Sequence, residues 1–159
     1  MILDERTEFA DAASVAAAAG TALIGDVFDL GATTPGDLGV GLGELYLVIT
    51  TDTSIITAGN AGTISFALAS DAQAAIATDG SATTHFSTGS IVTDGDDANA
   101  AVLDAGGVIC AVKLPMQGAV YERYLGILCT IGTTTVTAGK INAFLTKDVS
   151  RWSAYPDAI

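Results

Sequence analysis

Basic residues are scarce in this chain. Six Lys and Arg stand against eighteen Asp and Glu in 159 residues, for a formal net charge of −12. A nucleic-acid binder must cluster positive charge on one surface, whereas Arg6, Lys113, Arg123, Lys140, Lys147 and Arg151 are scattered; no nucleic-acid partner is expected. The same sign disfavours anionic membranes. The uncharged stretch from Ala12 to Gly25 is too short and too weakly apolar to span a bilayer, so no membrane partner is expected either. A secretory leader is not expected, because Asp4, Glu5, Glu8 and Asp11 surround Arg6 where a positive segment should lie.

Cysteine is limited to Cys110 and Cys129, each inside a predicted strand. Two are too few for a disulfide framework and their separation has no metal-site spacing. Both read as small buried hydrophobes in a reducing cytosol, with a disulfide between neighbouring strands as the alternative. Histidine occurs once, so any Ser-His-Asp or Cys-His constellation would run through His85. Its neighbours Thr83, Thr84, Phe86 and Ser87 read as ordinary strand, and no Gly-x-Ser-x-Gly elbow occurs. One His and two separated Cys supply no zinc ligand set. Catalytic residues, cofactors and a resident metal are therefore not expected, and the chain does not read as an enzyme. Aromatics are only 6% of residues, which leaves an aliphatic core with Phe66, Phe144, Tyr46 and Tyr124 as its few large anchors.

What the chain has is small residues and glycine. Gly36, Gly39, Gly41 and Gly43 stud one loop that runs straight into the apolar segment Glu44 to Thr51. A phosphate-cradling loop opens a helix, not a strand, so these glycines read as turn geometry. The cluster Asp94-Gly95-Asp96-Asp97 invites a calcium reading, but Asn99 and Ala105 stand where an EF-hand needs glycine and glutamate. A solvated loop is the default there, with a cation site of another kind left open. Carboxylate pairs for glycoside hydrolysis cannot be singled out among so many acids.

From Val27 onward the pattern is β. Val27 to Leu30 reads as a short strand, and Glu44 to Thr51 is apolar on both faces, as suits a strand covered on each side. In Thr63 to Ser70, Ile64, Phe66 and Leu68 alternate with Thr63, Ser65 and Ala67, the mark of a half-buried strand. Asp71 to Asp79 reads as a small loop or helical turn, and Thr83 to Val92 as one or two short strands. Further strands are expected over Val108 to Leu114, Tyr124 to Ile131 and Ile141 to Thr146, with a turn from Thr133 to Gly139. About eight short strands separated by turns predict an antiparallel two-sheet β-sandwich. Ala10 to Ala19 has helical propensity but no stripe of large apolar residues, so residues 1–24 read as a short helix or an extended arm, 25–149 as the sandwich and 150–159 as a tail. Arg151, Trp152 and Tyr155 in that tail are residue types favoured at interface hot spots, with packing back on the chain as the alternative.

Several blocks together carry a resemblance. Met1-Ile2-Leu3-Asp4, Thr7-Glu8-Phe9-Ala10-Asp11-Ala12, Asp37-Leu38-Gly39-Val40-Gly41 before Leu45-Tyr46-Leu47-Val48, Tyr124-Leu125-Gly126, and Thr137-Ala138-Gly139-Lys140-Ile141 occur in an order that resembles the Bbp16-type capsid cement proteins of tailed bacteriophages. The blocks span most of the chain, least so between Ala72 and Asp104, and none is a catalytic signature. The resemblance implies a jelly-roll sandwich that forms in the host bacterial cytoplasm. It further implies a homo-oligomer, dimer or trimer, that binds the outer surface of the icosahedral head and reinforces contacts between major capsid proteins. Met1 to Ala19 and Arg151 to Ile159 are then the expected contact segments, with Ile2, Leu3, Phe9, Arg151, Trp152 and Tyr155 as candidate interface residues. A phage tail or neck structural protein, and a carbohydrate- or receptor-binding sandwich using the Asp94 to Asp97 loop, are the competing readings.

Overall fold

The computed structural model describes residues 7–31, 45–59, 62–93, 100–115 and 118–149. Nine strands occur among these residues: β1 Glu8–Ser14, β2 Gly20–Asp29, β3 Tyr46–Thr57, β4 Gly62–Asp71, β5 Thr83–Ser87, β6 Ile91–Thr93, β7 Val108–Lys113, β8 Tyr124–Gly132 and β9 Val136–Thr146. A 3-10 helix, Ala101–Leu103, precedes β7. One sheet runs β1-β9-β3-β7; the other runs β2-β8-β4-β5, with β6 also on β4. Every pairing is antiparallel. The strand order is that of a jelly roll, with β5 and β6 sharing the place of one strand.

Alternation along the strands builds the core. In the first sheet Leu47 and Ile49 of β3 lie beside Leu145 and Ala143 of β9. Facing them in the same cluster are Phe66 and Leu68 of β4 with Ile127 and Cys129 of β8. Each such side chain contributes about 1.5–3 kcal/mol on burial, so the two inner faces dominate the stability. β3 is apolar on both sides as its sequence predicts: Val48 and its neighbour Phe144 on β9 are also fully buried, although they alternate with the core residues.

The outer face of the second sheet has a smaller cluster of its own. Leu23, Leu128 and Ala67 line up across β2, β8 and β4, and Ile76 from the β4–β5 loop covers them. Gly126 makes room for that cover, since a Cβ there would lie 2.7 Å from Ile76 Cδ1. Asp71 ties the loop down by accepting from the Gln73 amide (3.1 Å) and the Ala77 amide (3.0 Å).

Of the two N-terminal alternatives the helix is the one that needs correction. Glu8–Ser14 is extended, an edge strand of the first sheet ordered by its pairing with β9, and β2 crosses the expected boundary at residue 24. Alanine's small helical preference yields here to tertiary packing, because Phe9, Ala10 and Val15 are worth more buried between the sheets. Two register irregularities and a left-handed Ala12 (φ 47°) bend β1. Asn142 stabilises that bend, its Oδ1 accepting from the Ala12 amide at 2.6 Å. The expected turn from Thr133 to Gly139 is also shorter, since β9 already begins at Val136.

Candidate functional site

The candidate interface residues separate at once. Phe9 is 2% exposed and belongs to the inter-sheet core, so it is not available to a partner in this fold. Ile2, Leu3, Arg151, Trp152 and Tyr155 lie outside the described residues, as do the Gly36 to Gly43 and Asp94 to Asp97 loops.

Among the described residues, reactive side-chain types gather around His85. β4 and β5 are neighbours, and a register irregularity between Leu68 and Ala69 brings His85 Nε2 to 2.7 Å from Ser70 Oγ. The stretch before β8 closes over this pair. Tyr121 stacks on the imidazole with ring centroids 3.8 Å apart at 17°, and the Glu122 amide donates to Ser70 Oγ at 3.0 Å. The Thr83 hydroxyl donates to Glu122 Oε1 at 2.8 Å, and the Tyr121 hydroxyl to the Pro115 carbonyl at 2.8 Å. Burial holds the imidazole below its ordinary pKa of 6.5, against the smaller upward pull of the Glu122 carboxylate. Burial likewise pushes the Tyr121 phenol up to about 12.

A Ser-His contact of this length suggests a nucleophile, yet its surroundings argue otherwise. Ser70 is 0% exposed and its oxygen already accepts from the Glu122 amide, so its hydroxyl is not presented at the surface as a nucleophile. The arrangement holds a segment in place. Sequence reading treated His85 as ordinary strand and missed the contact, which depends on a bulge that no local pattern announces.

Arg123 forms a two-pronged pair with Asp29, Nε to Oδ1 at 2.9 Å and Nη2 to Oδ2 at 2.8 Å, and its guanidinium sits 4.8 Å from the Tyr124 ring centroid. Hydrogen bonds from Arg123 hold the Asp29 carboxyl at about 2. Both cysteines are free; burial raises Cys110 to about 11 and Cys129 to about 12, which keeps them as inert thiols. Among the described residues no group of three His, Cys, Asp or Glu side chains converges as a metal cage.

No curated protein matches this sequence. A family model does: the one described as Bbp16 matches residues 9–145, from β1 to the next-to-last residue of β9 and so across both sheets. The chain belongs to the Bbp16 family.

Proposed function

We propose that this protein is a phage capsid cement protein, which binds the outer surface of the icosahedral head and stabilises contacts between major capsid proteins. The observation that carries the reading is the Bbp16 match across the whole sandwich, joined to the residue blocks that resemble cement proteins of that type. The architecture is consistent with it. A jelly roll built from small residues, whose Ser70–His85 contact has its serine fully buried, is suited to contact rather than chemistry.

The charge fits the same role. At −12 the chain repels copies of itself in solution, and a repeating lattice overcomes that repulsion by holding several weak contacts at once. With Phe9 placed in the core, the contact residues proposed at the termini reduce to Ile2 and Leu3 at one end and Arg151, Trp152 and Tyr155 at the other. The proposed partners are the major capsid protein and further copies of this chain, on the virion exterior.

The test is add-back. Heads assembled without this protein should release DNA at a lower temperature than complete heads, and purified protein should restore the higher value by mass action on the bound state. Heads whose thermal release is the same with and without the protein would refute the cement role. Recovery of the protein only with tails or necks would do so as well.

A further inference from the structure

We propose that His85 is an acid-sensitive latch, which through Ser70 and Tyr121 fastens the Tyr121–Arg123 stretch to the β4–β5 edge of the second sheet. This stretch leads into β8 from the connection that leaves β7, so it lies where the chain passes from one sheet to the other. Three contacts hold it to the β4–β5 edge: the stack of Tyr121 on His85, the Glu122 amide on Ser70 Oγ, and Thr83 on the Glu122 carboxylate.

The latch depends on which atoms carry protons. With the imidazole neutral and protonated at Nδ1, Ser70 accepts from the Glu122 amide and donates its own hydrogen to Nε2, so every group in the chain of bonds is satisfied. A proton on Nε2 turns that nitrogen into a donor. Ser70 Oγ would then face two donors, and its hydrogen would be left without an acceptor at a site that is 0% exposed. The surrounding charges do not offset this. On the closing stretch, Glu122 favours the cation, but its carboxylate is shared with Thr83, and Tyr121 offers only its ring face. On β4, the Asp71 carboxylate is occupied by the Gln73 and Ala77 amides. On β5 no residue other than His85 is ionisable, and Arg123 is paired with Asp29 of β2. Burial outweighs the attraction, and the balance favours the neutral ring.

The sign follows from linkage. A histidine whose folded pKa lies below its unfolded value binds fewer protons folded than unfolded. Its local structure is therefore at full strength above pH 6.5 and weakens as pH falls from 6.5 towards the lowered value.

Because His85 is the single histidine, its ring signals can be followed by NMR without ambiguity in the full-length protein. The latch predicts an imidazole that titrates below 6.5. It also predicts exchange of the Glu122 amide, corrected for intrinsic pH dependence, that speeds up by as much as about tenfold per pH unit across that window. Ser70→Ala should raise the His85 titration towards 6.5 and flatten the exchange profile. Titration at or above 6.5, or His85 protonation that leaves Glu122 exchange unchanged, would overturn the proposal. The wild-type profile decides the matter even if the Ser70 variant does not fold, and a folded variant with an unmoved His85 titration would overturn it too.

Discussion

At Gly25 the backbone has φ +66°, and a Cβ would overlap the carbonyl oxygen of Phe9. β1 and β2 approach that closely because Phe9 and Ile24 are buried in the same core. Gly25→Ala is therefore expected to cost on the order of 2 kcal/mol or more in a urea melt, through strain and lost packing together. Phe9→Ala should cost about 3–5 kcal/mol by the same assay, as for a buried aromatic. A Phe9 variant of unchanged stability would return that residue to the list of surface contacts. The thiols give a chemical test of burial. With Cys110 at about 11 and Cys129 at about 12, neither should be alkylated at pH 8 in the native protein, and both should react once it is unfolded. Asp29 adds a pH dependence of the same sense as that of His85, in a more acidic window. Its carboxyl lies at about 2 instead of 3.8, so its pairing with Arg123 is fully present above 3.8 and is lost as pH falls towards 2. Asp29→Asn should remove that part of the acid transition, and salt should weaken it in the wild type because the pair is exposed.

At the scale of elements, the first strand decides how the N-terminus should be treated. β1 closes one edge of the first sheet through its ladder with β9, and Phe9 and Ala10 enter the core. Deleting residues 1–14 should therefore abolish cooperative folding, read by loss of a sigmoidal melt, rather than merely reduce binding to heads. This edge was the least legible part of the fold. Period-two alternation made β4 and β8 readable, because Ile64, Phe66 and Leu68, like Leu125, Ile127 and Cys129, place their large residues on one face. The double burial of β3 was equally readable from its unbroken apolar run. β1 carries small residues and two register irregularities, so neither period stands out and alanine's helical preference misleads. The Ser70–His85 contact was hidden for a related reason. It joins two strands through a bulge, and sequence spacing along either strand contains no trace of it.

For the whole molecule, a jelly roll with a charge of −12 is proposed to assemble on something larger. The central claim is that the larger object is the phage head. Co-sedimentation of purified protein with expanded, undecorated heads of its own phage, scored as copies bound per major capsid subunit, tests this most directly. The account predicts saturable binding at a simple ratio set by the lattice symmetry; heads that pellet without the protein at saturating concentration would contradict it.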